Sequence, residues 1–166
     1  MNLQSTAAEN HFIGELQTID TASAVARLQM APLISVRQAG DTALASAGTV
    51  GSLVKMRVGE LYLIASIREV AAASPDATEA QAALEFIGEG THGSGDGLQN
   101  FKRGISRYPF PGDPLFAVTH QDLLNIYSAD DKVTIRIGTV FPSNDIPAAL
   151  NIDAMLGRHF AVMGSS

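Results

Sequence analysis

Over much of the chain, apolar and polar positions alternate with a period of two, the spacing of strands that bury one face. The clearest case runs from Ser52 to Val70. Val54, Met56 and Val58 alternate with Lys55 and Arg57, Gly59-Glu60 turns the chain, and Leu61, Leu63, Ala65 and Ile67 continue the period, which predicts a hairpin. Phe12 to Asp20 and Ala24 to Met30 mix apolar and polar residues without helical spacing, and Gly14 and Asp20 punctuate them, so both read as strands. Leu115 to Val118 is expected to be a strand, as is the run in which Val133, Ile135 and Ile137 alternate with Thr134 and Arg136 before Gly138.

Between these runs the chain carries turn chemistry. Ala71 to Ala80, centred on Ser74-Pro75-Asp76, reads as a loop, and Gly90 to Gly97, with four glycines, as a second loop that interrupts the sheet. Phe101 to Tyr108 is extended in character. Pro109, Pro111, Gly112 and Pro114 then make a rigid turn, because proline fixes its own φ and moves its predecessor out of the helical region. Asp130-Asp131 reads as a turn and Phe141 to Pro147 as loop-like.

Helical signals are few. Thr119 stands three residues before Asp122 with capping spacing, ahead of Leu123, Leu124 and Ile126, which predicts a short helix ending near Tyr127. Asn151 or Asp153 is placed to cap a brief helix through Met155 and Leu156, with Gly157 as its stop. Phe160-Ala161-Val162-Met163 is a compact apolar run of the kind a central parallel strand uses. Six or more short strands with Gly and Pro turns argue for a mainly β barrel or sandwich with one or two short helices. Closure into a small barrel would remove exposed strand edges.

Composition narrows the function classes. The 166 residues suit one domain, and no window approaches the roughly 18 apolar residues of a spanning helix. Met1 to Asn10 has neither a basic start nor an apolar core, so no secretory signal is read there and cytoplasmic residence without a membrane is expected. The absence of cysteine excludes disulfides and cysteine-ligated zinc. A net charge of −6 argues against a surface that wraps nucleic acid throughout. Lys102, Arg103 and Arg107 are the local exception, and their two readings are a solvated loop and a contact with DNA or a partner.

Other chemistry is thin. His11, His92, His120 and His159 are scattered, with no pair at metal-ligand spacing. Gly93-Ser94-Gly95-Asp96-Gly97 lacks the downstream Lys and helix of a phosphate loop, and Asp96 would repel an anion, so it reads as a flexible loop. No Gly-x-Ser-x-Gly elbow marks a serine nucleophile. At the end of the sequence, the run Phe160 to Met163 followed by Gly164-Ser165-Ser166 matches a strand and the first three positions of a phosphate loop. Spacing alone leaves an incomplete phosphate loop and an ordinary tail both open.

Leu156-Gly157-Arg158-His159-Phe160-Ala161-Val162-Met163-Gly164-Ser165-Ser166 resembles the approach to the phosphate loop in HerA-family ATPases. Upstream, Phe12 to Leu16 resembles that family's opening strand and Gly51 to Lys55 the start of its central hairpin. Gly88-Glu89-Gly90 with Arg103 to Pro109, and Asp122 to Tyr127, are similar to later family segments, so the likeness keeps family order from about Phe12 to Ser166. The resemblance implies a flexible stretch over 1–11, a HAS-type β-barrel related in outline to the N-terminal domains of ATP synthase subunits over 12–141, and a connector with the first strand of a P-loop α/β ATPase domain over 142–166. It implies a chain cut within the Walker A motif, so that Gly164, Ser165 and Ser166 begin a nucleotide cradle; Arg158 and His159 are then candidates to support it, and Lys102, Arg103 and Arg107, read from their charge, candidates for a DNA or partner contact beside the solvated-loop reading.

On that expectation the 166 residues have no catalytic residues, metal or cofactor of their own. ATP and Mg²⁺ belong to the full-length protein, a hexameric DNA translocase working with a NurA-type nuclease in DNA end processing or repair. The competing reading is a freestanding β-barrel that binds a small ligand or peptide. The loops at 71–80 and 90–100 carry no family motif.

Overall fold

In the computed structural model, residues 11–93, 97–127, 134–140, 143, 145–157 and 161 are described. Strands β1 (Phe12–Ile19) and β2 (Ser23–Gln29) form an antiparallel pair, and β3 (Leu53–Val58) and β4 (Leu61–Ala72) form the expected hairpin about Gly59. The long β5 (Glu79–His92) follows, then β6 (Leu98–Arg103) and β7 (Pro114–Ala117). All pairings are antiparallel and run β2-β1-β7-β3-β4-β5. β5 then pairs back onto β2 from Ser23↔Glu85 to Gln29↔Glu79, so six strands close a barrel.

β5 serves two partners along one edge. Its first half pairs with β2, and its second half, from Gly88 to His92, with β6. The two halves are separated by a bulge at Ile87, since neighbouring Ile64 and Ala65 on β4 oppose Gly88 and Phe86. Gly90, Thr91 and His92 are therefore strand, a correction to the loop expected from Gly90 onward. Glycine is needed for a different reason: a Cβ at Gly88 would lie 2.2 Å from the Lys102 carbonyl oxygen, and one at Gly90 2.5 Å from that of Gln99. The expected loop at 71–80 shrinks likewise, because β4 runs to Ala72 and β5 begins at Glu79.

The barrel is filled from the alternating positions. Ile13, Leu16, Leu28, Val54, Met56 and Leu63 are buried in its core, with alanines such as Ala26, Ala65 and Ala82 where a small barrel leaves little room. Helix α1 (Met30–Arg37) adds Leu33 and Val36 to this core. Sequence periodicity did not reveal α1, which has only two buried residues, Pro32 in its first turn and no side-chain cap from Gln29.

A second core lies on the opposite face of β3 and β4. Leu53, Tyr62 and Ile64 point away from the barrel interior and pack with Leu98, Val118, Leu123, Val140 and Ile146. Helix α2 (His120–Tyr127) supplies Leu123. The run at 134–139 is strand β8 (Thr134–Thr139), and it pairs with β9 (Pro147–Asn151), a strand the sequence reading did not foresee. Helix α3 (Ile152–Leu156) ends at Gly157, whose N–H donates to the Asp153 carbonyl. Asp130-Asp131 lie outside the described residues, as do Phe160, Val162 and Met163 of the terminal apolar run. No helix among the described residues is long and apolar enough to cross a membrane.

Candidate functional site at the α2 junction

Alternation turns Lys55 away from the barrel interior, but α2 covers it. Its Nζ lies 2.8 Å from Asp122 Oδ2, with the side chains only 6% and 0% exposed. Asp122 is also the third helical residue after Thr119, and the two cap one another: Thr119 N–H donates to Oδ2 at 3.1 Å, and Asp122 N–H donates to Thr119 Oγ1 at 3.2 Å. The other oxygen, Oδ1, accepts Leu98 N–H at 2.8 Å, while Asn125 Nδ2 donates to Leu98 O at 2.6 Å. Two α2 side chains thereby satisfy both backbone groups of one residue on β6.

Burial by itself would raise the Asp122 carboxyl. The Lys55 charge and the hydrogen bonds from Leu98, Lys55 and Thr119 outweigh it and hold the group below the ordinary aspartate value. Lys55 Nζ also sits 5.0 Å from the centre of the Tyr62 ring, which packs on His92 at 5.3 Å. Burial lowers His11, and Lys55 adds to this against the pull of Asp41 and Asp122, which favours the neutral imidazole. Ammonium and carboxylate are mutually neutralised and sealed from solvent, so their chemistry is that of a fastener.

A polar cluster marks the start of α2. Asp41 accepts His120 N–H at 3.0 Å and Ala43 N–H at 2.8 Å, tying α2 to the 3₁₀ turn Leu44–Ser46. His120 Nδ1 lies 3.5 Å from Asp145 Oδ2 and 3.3 Å from Thr42 Oγ1, and Ser143 Oγ donates to Asp145. Serine, aspartate and histidine are all present, yet the hydroxyl engages the carboxylate, whereas nucleophile activation requires it on the imidazole. Among the described residues no three His, Asp or Glu side chains converge to hold a metal.

The three basic residues of the sequence reading are not brought together. Lys102 pairs with Glu89 at 2.9 Å. Glu89, 1% exposed, also accepts the Ser106 N–H at 2.7 Å and its hydroxyl at 2.8 Å. The Ser106 backbone bond leads in holding the Glu89 carboxyl below its ordinary value against burial, with Lys102 assisting. Arg103, next on β6, points to the opposite face and its charge reaches Tyr127 on α2. Arg107 lies near the β3–β4 turn, with Nη1 3.6 Å from where a Cβ on Gly59 would stand. Gly164, Ser165, Ser166, Arg158 and His159 lie outside the described residues, so nothing in the described geometry bears on ATP or Mg²⁺.

Sequence reasoning missed Lys55 and Glu89. Lys55 had the look of a solvent-facing strand position. Glu89 carried one usable signal, since the family-like segments Gly88 to Gly90 and Arg103 to Pro109 meet at the Glu89–Ser106 bonds.

Beside the junction lies a cleft of about 470 Å³, to which α2 contributes Leu124 and Tyr127, β8 Thr134 and Arg136, and β9 Pro147 and Ala149. Burial raises the Tyr127 hydroxyl, with Arg103 opposing.

These features define a closed six-stranded antiparallel β-barrel with a helix and a two-stranded ribbon packed on its outer wall. No protein-family model and no curated protein matches the chain.

Proposed function

We propose that this chain is the oligomerisation and partner-docking barrel of a HerA-like ATP-driven DNA translocase that acts with a NurA-type nuclease in DNA end processing or repair. The supporting observation is that the ordered family-like segments coincide with consecutive parts of one closed barrel and its junction. Phe12 to Leu16 opens β1, Gly51 to Lys55 leads into β3, Gly88 to Gly90 lies where β5 pairs with β6, and Asp122 to Tyr127 forms most of α2. On this reading the protein is cytoplasmic and hexameric, and these 166 residues do not hydrolyse ATP. Hydrolysis belongs to residues after Ser166, with Gly164, Ser165 and Ser166 opening the Walker A loop, Arg158 and His159 beside it, and DNA held by the motor.

The reading makes a specific demand on the parent gene: after Ser166, two residues must precede Gly-Lys-Ser or Gly-Lys-Thr, the lysine contacting β and γ phosphates and the hydroxyl Mg²⁺. A different continuation refutes the motor. With the full-length protein, light scattering should give a hexamer that binds a NurA-type nuclease, and removing residues 12–117 should abolish nuclease binding. Retained binding would refute the docking role.

A further inference from the structure

The cleft between α2 and the β8–β9 ribbon combines an apolar floor with a cationic rim on an acidic protein. Leu124, Ile146, Pro147 and Ala149 form the apolar part, and Arg136 is the one charged residue among the described lining residues. The volume of about 470 Å³ falls in the range of small-molecule sites, roughly 300–1,000 Å³. Arg136 spends its Nε on the Gly138 carbonyl at 3.4 Å, and among the described residues no carboxylate pairs with its guanidinium. Arg103 likewise has no carboxylate partner among the described residues, and its field reaches Tyr127 at the same corner. The whole chain carries a net charge of −6, yet none of the described residues lining this cleft is acidic.

We infer that the cleft binds a small amphipathic carboxylate, its apolar body on Leu124, Ile146 and Ala149 and its anionic head on Arg136. The site lies on the outer wall of the barrel and is independent of whether the chain serves a translocase. A carboxylate suits a guanidinium whose terminal nitrogens present a planar donor pair, and an apolar body displaces water from a floor that offers it few partners. A cation of equal length would meet Arg136 and Arg103 as like charges.

The test uses the 166-residue chain, with decanoate and decylammonium as probes, followed in ¹H–¹⁵N correlation spectra. Decanoate should shift Leu124, Tyr127, Arg136 and Ala149 saturably, and decylammonium should bind at least tenfold more weakly. Arg136→Gln should weaken decanoate by about tenfold, the size of one charge-assisted hydrogen bond, while its spectrum away from the cleft stays that of the parent. Ala149→Trp, which fills the floor, should remove saturable binding. Equal affinity for the two probes, an unchanged constant in Arg136→Gln, or shifts centred on the far end of the barrel would each overturn the assignment.

Discussion

Replacing Asp122 by alanine tests the α2 junction most directly. The substitution takes the carboxylate away from the Lys55 ammonium at a position where its side chain is 6% exposed, removes the acceptor of Leu98 N–H and dissolves the cap with Thr119. Removing one partner of a buried pair costs about 3–5 kcal/mol, chiefly because the remaining charge is left without compensation. The exposed pair Arg68–Glu85 supplies the contrast, since its 2.9 Å separation is nearly the same but its side chains are 66% and 54% exposed. Removing Glu85 should cost about 0.5 kcal/mol or less, because water and salt already screen that pair. Burial, and not bond length, decides the difference. Urea denaturation followed by circular dichroism should show Asp122→Ala at a lower midpoint with unchanged slope, and its melting temperature should fall by roughly 6–20 °C. The double variant Lys55→Met with Asp122→Asn removes both charges but keeps an acceptor for Leu98. It should be more stable than Asp122→Asn alone, with a coupling of about 1.5 kcal/mol or more. A loss under about 1 kcal/mol for Asp122→Ala, matching that at Glu85, would refute the claim that α2 seals this pair from water.

Three further outcomes can be stated. Asp122 and Glu89 both have carboxyls held below their reference values of 3.8 and 4.5, so the stability they confer is present above those values and lost as pH falls through the lower folded ones. Urea midpoints from pH 6 to 3 should therefore fall for the parent and converge on those of Glu89→Gln at the acid end, whereas parallel curves would contradict the assignment. Gly88→Ala, whose Cβ would meet the Lys102 carbonyl oxygen at 2.2 Å, should cost about 1–3 kcal/mol and speed amide exchange in β6, while Gly97→Ala, with nothing within 4 Å, should stay within about 0.5 kcal/mol. On the proposed collar, Arg103→Glu with Arg107→Glu tests partner or DNA binding more cleanly than a triple change including Lys102. Lys102→Glu would also set a second carboxylate beside buried Glu89, so a melt is expected to show destabilisation for Lys102→Glu and not for the arginine pair.

The parts of the fold legible in the sequence are those fixed by local periodicity. The β3–β4 hairpin follows from Val54, Met56, Leu63, Ala65 and Ile67 on one face and a glycine at positive φ in the turn, Gly59. The same alternation assigned Lys55 correctly to the other face. What it could not supply was the cover over that face, because the partner stands 67 positions away on a helix that one-dimensional spacing places nowhere in particular. Gly88 and Gly90 misled for a related reason: glycine reads locally as a turn signal, but here it makes room for the neighbouring strand's backbone. β9 was hidden by Pro147 at its first position, a place in a strand where proline is tolerated. Asp122 was legible as a cap and illegible as an ion pair, since the first role depends on Thr119 three residues away and the second on tertiary packing.

That double role explains why a carboxylate suits this cap better than a neutral cap residue. A closed barrel has no free edge, but β6 continues beyond the closure between β2 and β5 and creates one again. Leu98 on that edge would present an N–H and a carbonyl to any passing strand. Asp122 and Asn125 take both, and Lys55 neutralises the carboxylate that does so. A neutral cap could hold the helix end, but it would not bind Lys55 and Leu98 with two oxygens at once. The backbone N–H and carbonyl of Leu98 are thereby withheld from sheet augmentation.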